Sequence, residues 1–289
     1  MKPWIQLIRP SNTLTAISDV LAGVALACLV IQADLPEPIS LVMMSIASML
    51  LYVGGIVFND VFDAKLDAVE RPERPIPSGR IPKGAATGLG SIAFILGCLL
   101  SFCVNYHTFF MALAITGMCL LYNRYAKHHF ILGPIAMGVC RGLNLLLGLS
   151  FFPEALSFWY IGLIPVVYIA SVTNISRGEV YGNNKTAMLV SVFLYATVIV
   201  TLLSFTWSSK NYFALMFIAA FVYMIFKPLL KALKSLNPLD VRSAVKSGVL
   251  ALILMNASWI AIAGFWLVAL GVCVTLPISI FLAKRYAVT

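Results

Sequence analysis

The acidic residues of this chain are scarce and unevenly placed. Of 11 in 289 residues, five (Asp60, Asp63, Asp67, Glu70 and Glu73) fall inside the stretch 59–73. Its first part reads Asn59-Asp60-Val61-Phe62-Asp63-Ala64-Lys65-Leu66-Asp67. Helix continued through these residues puts Asp60, Asp63 and Asp67 at i, i+3 and i+7 on one face, and Asn59 joins it one turn before Asp63. Carboxylates stacked in this way repel one another unless something cationic lies between them. Hard oxygens at a semi-open helix end suit magnesium, which takes one or two protein carboxylates together with phosphate oxygens and water. Asn59, Asp60, Asp63 and Asp67 are therefore the expected metal ligands of this stretch. The competing reading is a solvated, charged helix end.

The adjoining residues weigh against that plainer reading. Directly downstream runs Arg71-Pro72-Glu73-Arg74-Pro75-Ile76-Pro77-Ser78-Gly79-Arg80-Ile81-Pro82. Four prolines forbid regular helix and stiffen the loop. Arginine guanidinium forks bind phosphate oxygens bidentately, so Arg71 and Arg74 are expected to bind substrate. A stiff arginine loop beside a carboxylate helix supplies both halves of a diphosphate clamp.

Together, Asn59-Asp60-x-x-Asp63-x-x-x-Asp67 and Arg71-Pro72-x-Arg74-Pro75-Ile76-Pro77-Ser78-Gly79 resemble the first motif of the UbiA superfamily of intramembrane prenyltransferases. Arg9-Pro10-Ser11-Asn12 is similar to that family's N-terminal segment, and the likeness is nearest to the EboC-like branch. The resemblance implies an all-helical bundle around a central cavity that opens sideways to lipid. It also implies a prenyl diphosphate donor, magnesium, and a lipophilic or aromatic acceptor.

A second Asp-rich motif is implied after the sixth span. That place reads Asn174-Ile175-Ser176-Arg177-Gly178-Glu179-Val180-Tyr181-Gly182-Asn183-Asn184-Lys185, with one acid and with Asn183 where a second would stand. An asparagine carbonyl ligates magnesium but brings no charge. Two readings stay open. In one, Glu179 and Asn183 complete a single magnesium site, and Arg177, Tyr181 and Lys185 hold the substrate. In the other, the chain binds an isoprenoid diphosphate without turning it over. On the first reading Asp60, Asp63, Asp67 and Glu179 carry the catalysis. The same resemblance makes Lys127, which comes shortly after Tyr122-Asn123-Arg124, a phosphate contact.

Ionisable groups inside apolar runs are costly and normally face a bundle interior. Asp19 lies in the first such run, and Arg141 with Asn144 in the fifth. Arg141 either pairs with Asp19 or meets a substrate phosphate. Asn12, about two turns before Asp19, falls on the same face and joins Arg141 and Asn144 as a substrate candidate.

The elements that must position these residues are membrane helices. Apolar residues make up 61% of the chain and charged ones only 11%, with a mean hydropathy of +0.96. Soluble domains carry about 25% charged residues, so lipid must cover much of this surface. Disorder is excluded by the same composition. Runs long enough to cross lie near 13–31, 40–58, 87–104, 108–123, 131–150, 157–174, 187–206 and 211–227. The last run, 245–283, is too long for one crossing and is expected to break near Gly264, giving nine or ten spans.

Sixteen of the 20 Lys and Arg residues fall on alternate connections, which assigns the N-terminus and the loops 59–85, 123–130, 175–186 and 228–246 to the cytosol. Basic loops beside anionic lipid also explain the formal net charge of +9 without nucleic acid. The six cysteines form no CxxC pair and read as small core residues. The three histidines lack zinc-ligand spacing.

The expectation is one transmembrane domain over residues 1–289 in an inner or plasma membrane, carrying out magnesium-dependent transfer of an isoprenyl group. The alternative is a non-catalytic isoprenoid- or lipid-binding protein that assists biosynthesis or export of a metabolite. A secondary transporter would show paired motifs in its two halves, and the sequence has no such pairs.

Overall fold

Proline at the first turn starts three of the long helices, where its fixed φ suits helix and its missing N–H is not needed. The computed structural model describes residues 2–176 and 185–286, and among these residues the regular structure is all helical. A short α1 (Lys2–Ile8) leads into α2 (Pro10–Ile31) and α3 (Pro38–Glu70). The next two helices, α4 (Lys83–Val104) and α5 (Tyr106–Leu121), make a hairpin. Its turn is set by Asn105, whose Oδ1 accepts from the Thr108 N–H at 2.9 Å while Thr108 Oγ1 accepts from the Asn105 N–H. Then come α6 (Leu132–Leu149), α7 (Leu163–Ser176), α8 (Lys185–Ser209), α9 (Ala214–Ser235), α10 (Pro238–Ile262) and α11 (Trp266–Tyr286).

Among the described residues, nine helical stretches are long and apolar enough to cross a membrane. The tenth expected crossing is α5, whose 16 residues are extended by a π-helical turn over Tyr122–Ala126. The long C-terminal run divides where expected. Gly264 takes φ +94°, a left-handed conformation that suits glycine, and the chain reverses there between α10 and α11.

Two loop expectations need correction. Residues 228–246 are almost wholly helical, because α9 runs to Ser235 and α10 begins at Pro238. Phe217, Phe221, Ile225, Leu229 and Ala232 form a continuous buried stripe on α9, and Lys227, Lys231 and Lys234 ride outside it. An amphipathic stripe keeps a helix going, and charge on the far face does not end it. The loop 59–85 is also shorter than expected, since α3 continues to Glu70. At about 1.5 Å per residue its 33 residues reach about 50 Å, well beyond about 30 Å of hydrocarbon. All the charged residues of the helix, the Asp motif among them, lie in its last turns.

The centre of the bundle is α2 and α10, while α11 is peripheral. Helix α2 lies against α6 so closely that a Cβ on Gly23 would sit 2.0 Å from the Leu145 carbonyl oxygen, and one on Gly148 2.0 Å from that of Val20. Small residues allow this contact in a membrane, where lipid gives helices no hydrophobic reason to associate. It brings the polar groups of α2 within reach of α6.

Candidate active site

The last turns of α3 present Asp60, Asp63 and Asp67 on one face, as the spacing requires, and all three are buried. The loop after α3 closes over them. Ile76 and Ile81 sink into an apolar cluster with Leu7 of α1, Val57 and Val61 of α3, and Ala86 of α4. This clamp turns Arg74 inward until it is itself buried. Its Nη1 donates to Asp67 Oδ2 at 2.7 Å and approaches Asp60 Oδ1 at 3.4 Å. Arg71 is exposed just after the end of α3.

Two further cations complete the arrangement. Arg9 Nη2 donates to Asp60 Oδ1 at 2.5 Å. Lys127 Nζ donates to Asp63 Oδ2 from the turn after α5. Beside them Asn59 Nδ2 donates to Asn123 Oδ1 at 2.8 Å, and Asn123 Nδ2 donates to the Gly55 carbonyl at 3.0 Å. Three acids from one helix thus meet three cations from three separate segments.

Arg9 and Asn123 are site residues that spacing alone does not single out. Arg9 stands in Arg9-Pro10-Ser11-Asn12, where its charge counts toward orientation and nothing local ties it to Asp60. Its backbone is left-handed, with φ 46° and ψ 65°, and this kink between α1 and α2 aims the guanidinium at Asp60. A non-glycine residue in that region is strained. Asn123 gives no signal in the sequence beyond its place at the end of a span.

Arg141 and Asn144 lie elsewhere, in a second cluster inside the bundle. Arg141 Nη1 donates to Asp19 Oδ2 at 2.6 Å, and Asn144 Nδ2 donates to the same oxygen at 3.1 Å. Asn256 Nδ2 of α10 donates to Asp19 Oδ1 at 2.7 Å. The Arg141 guanidinium also lies 4.6 Å from the centre of the Tyr52 ring, and Ser48 Oγ donates to Asn144 Oδ1 at 2.8 Å. Of the two possibilities open for Arg141, the pairing with Asp19 is the one present. Asn256 is an addition to the expected set, and its signal is an amide deep in an apolar run, which demands a partner. Asn12 is half-buried near the start of α2, and Lys185 is exposed at the first residue of α8. Arg177, Glu179, Tyr181 and Asn183 lie outside the described residues.

Whether the residues present fit magnesium can be judged from the donor set. The α3 carboxylates and the Asn59 amide are hard oxygen donors, the type this ion prefers. Among the described residues no three acidic, histidine or cysteine side chains close into a metal cage. The first motif therefore fits an ion that shares its shell with phosphate oxygens, not one held by protein alone.

The chain resembles known proteins in both sequence and bundle. The profile of the UbiA prenyltransferase family matches residues 20–236, most of the chain. The chain belongs to the UbiA prenyltransferase family. Helices of membrane-spanning length and this membership make it an integral membrane protein. Among curated UbiA relatives, the digeranylgeranylglyceryl phosphate synthase of Sulfurisphaera tokodaii is 30% identical over 171 residues, covering 58% of this chain and 59% of that one. The enzyme of the same name from Methanothrix thermoacetophila is 34% identical over 144 residues, covering 50% and 52%. The chain thus spans between half and three-fifths of the length of these curated relatives.

The fold matches solved structures over a greater length. The apo UbiA homologue from Aeropyrum pernix K1 aligns with a TM-score of 0.71 at 14% identity, over 85% of this chain and 96% of that one. The UbiA homologue from Archaeoglobus fulgidus bound to GPP and Mg2+ aligns with a TM-score of 0.60 at 14% identity, over 91% and 99%. These two matches establish the UbiA bundle for this chain and no more than the bundle.

Proposed function

We propose that residues 1–289 form one intramembrane prenyltransferase domain that moves an isoprenyl group from a prenyl diphosphate to a lipophilic or aromatic acceptor, with magnesium. The observation that carries this reading is the buried row of Asp60, Asp63 and Asp67, met by Arg9, Arg74 and Lys127. A row of acids interleaved with cations at the polar end of an apolar bundle suits a group that is anionic at one end and hydrocarbon at the other. The Archaeoglobus fulgidus homologue holds such a donor, GPP, together with Mg2+. The name of the curated relatives speaks of an isoprenylated glyceryl phosphate, which favours a lipid acceptor over an aromatic one.

In this reading Asn59, Asp60, Asp63 and Asp67 hold the ion, with help from Glu179 and Asn183. Magnesium, when bound, neutralises the diphosphate and makes it a better leaving group. Arg9, Arg71, Lys127, Arg177 and Lys185 take the phosphate charge that remains. Placed before the reaction at the edge of a low-dielectric bundle, these cations stabilise developing charge without reorganising. The apolar helices below exclude water, which would otherwise capture the allylic cation before the acceptor does. The distribution of basic residues supports a cytosolic face for this end.

A binding-only role draws its support from the single acid of segment 177–185. Asn183→Asp separates the two: it raises turnover in a weak enzyme and leaves a pure binder inert. The direct test is pyrophosphate release from prenyl diphosphates of several lengths, with a lipid extract as acceptor source. Release that requires both magnesium and Asp63 supports transfer, whereas donor binding without release supports the alternative.

A further inference from the structure

The three ion pairs of the polar end are not equivalent. Arg74 is buried, bridges Asp67 and Asp60, and is fixed by the loop that Ile76 and Ile81 anchor. Arg9 and Lys127 are more open, with 32% and 21% of their side chains exposed against 10% for Arg74. Each sits on a segment that departs from regular α-helix: Arg9 on the left-handed kink before α2, and Lys127 just after the π-helical turn. Each also pairs with a carboxylate that the reading above gives to the metal ion, Asp60 and Asp63 respectively.

Resting on the prenyl diphosphate reading above, we propose that Arg9 and Lys127 are place-holders, which neutralise Asp60 and Asp63 until a diphosphate draws them off. A divalent cation arriving alone meets carboxylates already paired, and must displace two cations that then have no anion to face. A diphosphate arriving alone meets cations already paired, and must expose two buried carboxylates. Arriving together, each supplies the partner that the other displaces: Arg9 and Lys127 pass to phosphate oxygens, and Asp60 and Asp63 pass to the metal. Metal and diphosphate binding are thereby coupled through these two side chains. Arg74 stays on Asp67 Oδ2 and holds the loop against α3, while the other oxygen of Asp67 faces the ion.

Place-holders give opposite signs for the two ligands taken separately, which a merely structural residue does not. The experiment uses the full chain in lipid nanodiscs. Manganese binding without any phosphate is followed by the EPR signal of the free ion, and inorganic pyrophosphate binding is followed by calorimetry in the presence of chelator. Removing one unit charge beside a carboxylate at low ionic strength shifts affinity by at least about threefold. Arg9→Gln and Lys127→Met are therefore expected to tighten manganese by that factor or more and to weaken pyrophosphate. Lys127→Arg restores the pairing charge and is expected to move both affinities back toward wild type from those of Lys127→Met.

Lys231→Met removes the same formal charge from the exposed side of α9 and is expected to move neither ligand. If Arg9→Gln and Lys127→Met weaken both ligands, the residues are structural and the proposal falls. If manganese binds them no more tightly than it binds wild type, it falls as well. Absence of turnover with every donor would overturn the prenyltransferase reading instead, while leaving the crossed pattern of affinities to be found or not.

Discussion

The molecule holds two clusters of acids and cations that use similar side chains in opposite ways. At the polar end of α3, three carboxylates meet three cations, and two of those cations keep part of their surface open. In the bundle interior Asp19 is wholly buried, and Arg141, Asn144 and Asn256 engage both of its oxygens. The interior cluster ties α2, α6 and α10 together and touches α3 through Tyr52 and Ser48. Exposure and spare capacity therefore distinguish a site that exchanges partners from one that fixes helices. An ion pair deep in a membrane protein is not by itself a substrate site, and a half-open one at a helix end is the better candidate.

The contrast yields a graded set of expected outcomes. The largest effect on activity belongs to Asp63→Ala, which removes a proposed metal ligand: magnesium-dependent pyrophosphate release should fall by about 100-fold or more, in line with the loss of one pre-placed electrostatic group in other active sites. Thermal unfolding of that variant should stay close to wild type. Next comes Arg141→Leu, which leaves Asp19 buried without its main partner. Breaking a buried pair in this way costs about 3–5 kcal/mol, so a clear drop in unfolding temperature is expected. The paired change Asp19→Leu with Arg141→Leu should recover part of the loss, because no lone charge then remains buried. A third outcome concerns the close contact of α2 and α6: Gly148→Ala must push the helices apart at Val20 and should cost about 1–3 kcal/mol. The smallest effect is that of Arg71→Gln. Its side chain is exposed and so screened by solvent, and as a phosphate contact it should change donor KM by about threefold or less, as expected for an exposed pair.

The parts of this arrangement that can be read from sequence are those that depend on spacing. Asp60, Asp63 and Asp67 share a face because about 3.6 residues make a turn, and nothing in the tertiary structure alters that. The break at Gly264 is legible because a run of apolar residues has to fold back within the membrane thickness. Partner identity is less accessible. Arg9 lies 51 residues from Asp60, and only the kink before α2 and the packing of Leu7 on α3 bring them together. Asn256 meets Asp19 across 237 residues through the packing of α10 on α2, which no local pattern reveals. The 228–246 connection differs from expectation for another reason. Its charge density suggests loop, whereas the apolar stripe of α9 keeps the helix intact.

The measurement that bears most directly on the division between the two clusters compares Asp63→Asn with Asp19→Asn in one preparation. Magnesium-dependent pyrophosphate release from a prenyl diphosphate and the unfolding temperature are recorded for each. The expected pattern is crossed: Asp63→Asn abolishes release and keeps stability, while Asp19→Asn lowers stability and keeps release per folded molecule. Full release by folded Asp63→Asn would contradict the assignment of the polar end of α3 as the diphosphate site.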